Sequence, residues 1–484
     1  MPPFDSLGCP VGLDHSTASS RVARHHQPVE NKLNSIAQKD IASHLHSYSN
    51  LAESKHTDPL VIVRGDGIHV IDDKGRRFIE GMSGLWCASL GFSHPRLIQA
   101  ATKALETLPY YHTFNHRTNG AVAELSEKLL EIAPSPMGRV FFASSGSEAN
   151  DSAAKMVWYY HNAIGKPRKK KIIARRNAYH GVTAVAASMG GLASNHADFD
   201  LPISPRFLHT ECPHFYRKGL PSETEDQFAT RLADLLERQI LEEGPETVAA
   251  FIAEPVMGAG GVIVPPVGYF EKIQTVLRKY DVLMIADEVI CGFGRTGNMF
   301  GSTTFGIAPD ILTCAKGLSS AYMPISAVMV SAKIYKAIAT NSGRLGIFGH
   351  GYTYSGHPVS ATVALEVLKI YEDDGIVDRC RDLTPLFGES LRKLVEHRYV
   401  GEARTVGLIG AIELVANKES RTNFPSEFKA GSRLAQYAFE EGLIVRPLGD
   451  AVALCPPLII EKDQMQDLFM RFERALDRFE SEQL

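Results

Sequence analysis

From Val61 onward, short apolar runs alternate with longer stretches whose apolar residues recur at helical spacing. Val61-Ile62-Val63 and Ile68-His69-Val70-Ile71-Asp72 predict two short strands around a turn at Arg64-Gly65-Asp66-Gly67. Leu97, Ile98, Ala101, Leu105 and Leu108 then fall on one face of a helix. Five later runs, at 140–143, 171–174, 248–253, 282–286 and 311–314, read as buried strands. Such runs between helices describe a mostly parallel sheet covered on both faces. In such a sheet ligands sit beyond the carboxyl ends of the strands. After about residue 370 the rhythm changes. Residues 402–415, with Gly407 and Gly410, predict a strand pair, and Met465, Leu468, Phe469, Phe472, Leu476 and Phe479 line one face of a last helix. The expected organisation is α/β: a partly mobile arm over 1–45, a large sheet domain over 95–370, and a smaller α+β domain built from 46–94 and 371–484.

Composition narrows the class. A chain of 484 residues exceeds what a single core supports. Its net charge of −4 gives no field that favours nucleic acid or an anionic membrane. No run approaches the ~20 apolar residues of a membrane helix. A small molecule is the expected partner. The seven cysteines (Cys9, Cys87, Cys212, Cys291, Cys314, Cys380 and Cys455) are scattered without a CxxC pair. That argues against a disulfide framework or a zinc site, and for a reducing compartment with no metal. Residues 1–40 lack the apolar core of a secretory signal. Arg21, Arg24, His25 and His26 among serines suggest a transit peptide, whereas Asp5 and Asp14 oppose one, so the chain is read as cytoplasmic. The basic run Arg168-Lys169-Lys170-Lys171 is read as a solvated turn before a strand.

Four strand ends carry unusual residues. Ser144-Ser145-Gly146-Ser147-Glu148-Ala149-Asn150 joins a strand to a helix, where glycine admits an anion and helix N–H groups supply donors; a plain helix cap fits equally well. Asp287 closes the run 282–286, where desolvation raises an acid's pKa unless a cation or donors compensate; a capping aspartate is the plainer account. Lys316 closes the run 311–314, where burial lowers an amine's pKa and frees its lone pair for a carbonyl; standing alone, it would more often be a snorkelling lysine. Gly349 to Pro358 is glycine-rich and presents Thr353 and Ser355 as hydroxyl donors, or is an ordinary loop. Together they supply a phosphate cradle, an acid for a ring nitrogen and a Schiff-base lysine, the parts a pyridoxal-5′-phosphate (PLP) site needs.

Ser145-Gly146-Ser147-Glu148-Ala149-Asn150-Asp151, Tyr179-His180-Gly181, Asp287-Glu288-Val289 through Gly294-Arg295-Thr296-Gly297, Ala315-Lys316-Gly317 and Thr353 to Pro358 resemble the motifs of class III aminotransferases, of PLP fold type I, in family order. The resemblance runs from about residue 45 to the C-terminus. It implies that Lys316 bears the cofactor and carries the proton, and that Asp287 pairs with the ring nitrogen. Tyr179 and Val289 would flank the ring, and Gly146 and Ser147 would hold the phosphate. Ser145, His180 and Glu254 would belong to the cofactor's surroundings. Thr353 would reach the phosphate of a neighbouring subunit, which implies a homodimer, alone or paired into a dimer of dimers.

Gly84-Leu85-Trp86-Cys87, residues 108–114 and Ile444-Val445-Arg446-Pro447 resemble the ω-amine:pyruvate transaminases. By that likeness Trp86, Tyr179 and Phe114 line the substrate pocket, Phe114 from the partner subunit, and Arg446 binds a carboxylate and swings aside for a simple amine. The implied reaction moves an amino group from a primary amine or ω-amino acid to a keto acid, with pyruvate giving alanine. Ala321 and Ser326 stand where this group usually has glycine, two side chains placed to reshape the pocket. Decarboxylation-dependent amino transfer or an aminomutase would use the same lysine and aspartate. A non-catalytic relative would be expected to lack Lys316.

Overall fold

The computed structural model describes residues 35–482 except 204, so the first 34 residues of the expected arm, with Cys9 and the Arg21–His26 cluster, lie outside the described residues. The chain divides into two compact units, Met1–Val61 and Ile62–Leu484. In the first, Ser35–Ser43 is an α-helix and Leu51–His56 a 3-10 helix.

The second unit is organised by a seven-stranded sheet. Its order is Arg139–Ala143, Ser326–Val330, Ile311–Cys314, Leu283–Asp287, Val248–Ala253, Lys171–Arg175 and Phe207–Thr210. The five expected strands are present within a residue at each end. From Ile311–Cys314 to Phe207–Thr210 all pairings are parallel, and Ser326–Val330 runs antiparallel to both of its neighbours. Alternate residues feed opposite cores. Ala250, Ile252 and Ile285 pack with Ala149, Ala153 and Val157 of the helix Gly146–Ala163. Phe251, Ala253 and Met284 pack with Phe228 and Leu232 of Glu225–Glu243 and with Ile273 and Leu277 of Tyr269–Lys279. Both faces are therefore covered, which is why these strands read as continuous apolar runs.

Two four-stranded sheets complete the unit. One joins Ile62–Asp66, His69–Asp72 and Arg77–Glu80 to Leu443–Ile444. The other orders Val400–Val406, Ile409–Leu414, Ala451–Leu454 and Arg446–Leu448. The last helix, Lys462–Ser481, buries all six expected apolar residues.

Three expectations are corrected. The first hairpin turns later than expected, because Arg64, Gly65 and Asp66 pair with Ile71, Val70 and His69. Gly65 is needed in that strand since a Cβ there would lie 2.4 Å from Phe92. The helix Pro95–Thr107 buries Leu97 and Ala104, while Ile98 and Leu105 are half exposed and Leu108 caps the end. The basic run is only partly solvated: Lys169 is buried, and its Nζ donates to the carbonyls of Val248, Tyr280 and Asp281 at 2.7–3.0 Å. Ser326–Val330, which is not among the expected strands, is a buried strand of the main sheet.

Candidate active site

A cavity of about 110 Å³ opens at the carboxyl ends of the central strands, lined by Gly146, Ser147, Asn150, Tyr179, His180, Gly181, Glu254, Asp287, Val289, Ile290 and Lys316. Eight residues expected around a cofactor therefore meet here: Gly146, Ser147, Tyr179, His180, Glu254, Asp287, Val289 and Lys316. Lys316 follows the strand Ile311–Cys314 with φ +46°, a left-handed conformation that a non-glycine residue adopts only under constraint. Burial pushes its amine below the ordinary lysine value. Cys87, Asp287 and Glu254 oppose that shift, and the positive charge of Arg446 reinforces it.

Asp287 ends its strand buried. Its Oδ2 accepts from Asn150 Nδ2 at 2.8 Å and His180 Nδ1 at 2.7 Å, and its Oδ1 from the Val289 N–H at 3.1 Å. Asn150 in turn accepts from Thr313 Oγ1 at 2.8 Å and donates to the His180 carbonyl at 2.7 Å. The carboxylate is thus aimed by three donors from three segments. Glu254 is buried, and its oxygens accept from the Tyr179 and Gly258 N–H groups at 3.1 and 3.0 Å. Desolvation raises its pKa.

Gly146 and Ser147 open the helix Gly146–Ala163, so their N–H groups have no acceptor within it. Ser145 is its N-cap, accepting from the Glu148 N–H at 3.2 Å. A Cβ on Gly146 would lie 3.0 Å from Val289 Cγ1, and one on Gly181 2.5 Å from Ser147 Oγ, so only glycine keeps this cradle open. The Ser326 hydroxyl donates to the Ser145 carbonyl at 2.7 Å. Ala321 has φ +66°, and neither it nor Ser326 lines the cavity. Ser326 thus braces the cradle from behind.

Trp86 is buried at φ +66°, in a turn whose Ser83 and Gly84 also have positive φ. It packs in one cluster with Met82, Val256, Val262 and Ile290. Ser83 Oγ ties this turn to the Cys455 carbonyl at 2.7 Å, and Glu80, whose pKa burial pushes up to about 7, accepts the Met82 N–H at 3.0 Å. Arg446 is half-buried on the strand Arg446–Leu448, and its positive charge is one of those acting on Lys316. Thr353 and Phe114, expected near a cofactor or substrate, do not line this cavity. Both are exposed; the Phe114 ring lies against Gly351, and Tyr110 Oη donates to the Thr353 carbonyl at 3.0 Å. The sequence pattern does not single out Asn150 or Ile290, because neither an amide inside a helix nor an isoleucine after a strand marks itself.

The set fits PLP. It offers glycine-lined helix donors for a phosphate, an oriented carboxylate for a ring nitrogen and an amine for an aldehyde. His180 Nε2 is a buried nitrogen without a hydrogen-bond partner. A parallel-rich α/β sheet with these groups at its carboxyl edge defines a PLP-dependent enzyme of fold type I. The class III aminotransferase family model matches residues 51–476, and the chain belongs to that family. It is 49% identical over 451 residues to γ-aminobutyrate transaminase 1, mitochondrial, of Solanum lycopersicum, covering 93% of this chain and 87% of the relative. Among solved structures it is similar to the ω-transaminase of Pseudomonas jessenii in complex with PMP (53% identity, TM-score 0.91, 92% of this chain and 98% of that one). It is also similar to the PMP-bound aminotransferase of Vibrio fluvialis (44% identity, TM-score 0.89, with the same coverages). The protein is a PLP-dependent aminotransferase that acts on amines and keto acids. Among the described residues no helix is long and apolar enough to cross a membrane.

Proposed function

We propose that the enzyme transfers the amino group of a primary amine or ω-amino acid, γ-aminobutyrate and β-alanine included, to pyruvate, giving alanine. The observation behind this reading is Arg446, half-buried on the strand Arg446–Leu448, whose positive charge acts on Lys316; in this reading its guanidinium grips a substrate carboxylate through paired charge-assisted hydrogen bonds. Relatives named γ-aminobutyrate transaminases and neighbours named ω-transaminases support the donor class. In this reading Gly146 and Ser147 hold the phosphate, and Tyr179 and Val289 flank the ring. Asp287 faces the ring nitrogen, Glu254 and His180 complete the polar wall, and Trp86 shapes the substrate side. When bound, PLP supplies an electron sink for charge developing at the amine-bearing carbon. Lys316 would anchor the cofactor, and its amine, held below the ordinary lysine pKa by burial, would serve as the base toward the proton on that carbon. The six free cysteines among the described residues suit a reducing compartment, and the cytoplasm is the one proposed. An amine-donor panel with pyruvate, read by alanine formation, tests the reaction; alanine from no donor removes the reading.

Arg446→Ala is expected to separate the two half-reactions. Hydrogen bonds to a charged group contribute about 1.5–3 kcal/mol, so its loss should lower the second-order rate with pyruvate roughly ten- to a hundredfold. A donor without a carboxylate, such as phenylethylamine, is nearly spared. Stopped-flow traces of each half-reaction check this, and equal losses in both would make Arg446 structural.

The same proposal includes a homodimer in which Thr353 and Phe114 complete the partner's site, consistent with their exposure in one protomer. Mixing Lys316→Ala with Thr353→Ala chains then places both lesions in one site of a heterodimer and leaves the other whole. Activity should reappear above that of either parent. Confirmed subunit exchange without recovery would refute site sharing.

A further inference from the structure

Behind the cofactor cavity, Met257 and Ile263 bridge one another across a turn. Within it Val262 is fully buried at φ +53°. A β-branched residue in the left-handed region is strained, and it persists only where its surroundings over-determine it. Arg404 supplies that constraint. Its Nε donates to the carbonyls of Gly261 at 2.9 Å and Val262 at 3.1 Å, and one Nη donates to Gly261 at 2.6 Å. Glu402 and Glu413 hold the guanidinium at 2.6 and 2.7 Å, and are themselves held by His214 at 3.0 Å and Arg217 at 2.9 Å. His214, Glu402 and Glu413 could in principle gather a metal ion. The guanidinium already bonds both glutamates, so the cluster is an ion-pair network.

The other end of the turn reaches the cavity. The Gly258 N–H donates to Glu254 Oε2 at 3.0 Å. A Cβ on Gly258 would lie 2.4 Å from Ile290 Cδ1, and one on Gly260 2.4 Å from the Asn177 carbonyl oxygen. The Gly261 and Val262 N–H groups donate to the Gly258 carbonyl at 3.1 and 2.9 Å, so a shift at residues 261–262 bears directly on Gly258. The Glu254 carboxylate lies among the charges of His180, Asp287 and Arg175, where a lost donor changes both its direction and its protonation.

We propose that Arg404, which does not line the cavity, is a positioning residue of the cofactor site: by clamping the Gly261 and Val262 carbonyls it fixes the Gly258 N–H against Glu254. The inference rests on the reading of this cavity as the PLP site with Glu254 in its wall.

The test uses PLP-loaded holoenzyme and two readouts besides turnover: the pH midpoint of the cofactor's visible band and the rate of cofactor loss to excess apo-acceptor. Arg404→Gln, which breaks the clamp, should shift the midpoint by about half a unit or more. It should also speed cofactor loss roughly tenfold. Glu254→Gln should move both readouts in the same direction, and the double variant should be no worse than Glu254→Gln alone, since both act through one carboxylate. Arg404→Lys keeps the charge without the fork, should fall between, and carries the test if the glutamine variant does not fold. A lowered melting temperature with an unmoved midpoint, or effects that add in the double variant, would reduce Arg404 to a brace and overturn the inference. Absence of the cofactor band from the parent enzyme would instead remove the reading beneath it.

Discussion

Lys316→Ala is expected to abolish amino transfer while leaving the fold intact. Lys316 alone among the cavity residues offers an amine, and the proposed reaction uses it twice, as anchor and as proton carrier. Positioned proton transfer by itself contributes about 10²–10⁴-fold, so losing both roles should lower turnover by roughly 10⁴-fold or more. Stability should not suffer. The variant removes an amine whose pKa burial already depresses, and alanine at φ +46° is no more strained than lysine. Three measurements decide it: steady-state turnover, thermal melting of the apo chain, and borohydride reduction followed by mass measurement. Reduction should fix the cofactor to the parent chain and not to the variant. Turnover near the parent's would refute the assignment.

The second large effect is expected from Asp287→Asn. The carboxylate accepts from Asn150 and His180 on one oxygen and from the Val289 N–H on the other. An amide cannot satisfy both sides. With its oxygen toward Asn150 and His180, its NH₂ meets the Val289 donor; reversed, it meets the other two. Either way no anion faces the ring nitrogen. Removing one partner of a buried charge pair costs about 3–5 kcal/mol, roughly a hundred- to several-thousand-fold in the rate of proton removal. Single-turnover conversion with saturating donor reads that step, with circular dichroism as the check on folding. A rate equal to the parent's would make Asp287 a cap and nothing more.

Much of this architecture was legible because the chemistry breaks a local pattern. Val248–Ala253 and Ile311–Cys314 are buried on both faces, so their apolar runs mark them as strands. Asp287 and Lys316 stand out as charges closing such runs. What escaped depends on contacts between distant segments. Asn150 aims Asp287 from 137 positions away, and Arg404 clamps Gly261 across 143. Neither has a neighbour in sequence that betrays the task. Lys169 looked solvated because a basic run usually is, yet three carbonyls hold its ammonium inside. The outward face of Pro95–Thr107 has the composition of a core face, and composition cannot say which surface covers it.

The sheet that pairs Ile79 with Leu443 also sets a timetable for synthesis. On the ribosome, the edge of Arg77–Glu80 emerges early, and its last partner arrives roughly 20–70 s later at ordinary elongation rates. Through that interval an unpaired strand edge invites wrong partners. The Trp86 turn waits as long, since the Cys455 carbonyl that accepts from Ser83 Oγ belongs to the same late segment. The seven-stranded sheet, whose last strand in sequence ends at Val330, can therefore assemble before the Trp86 turn is tied down. A nascent chain stalled before residue 443 would already carry Gly146, Asp287 and Lys316 while the edge of Arg77–Glu80 still lacked its last partner.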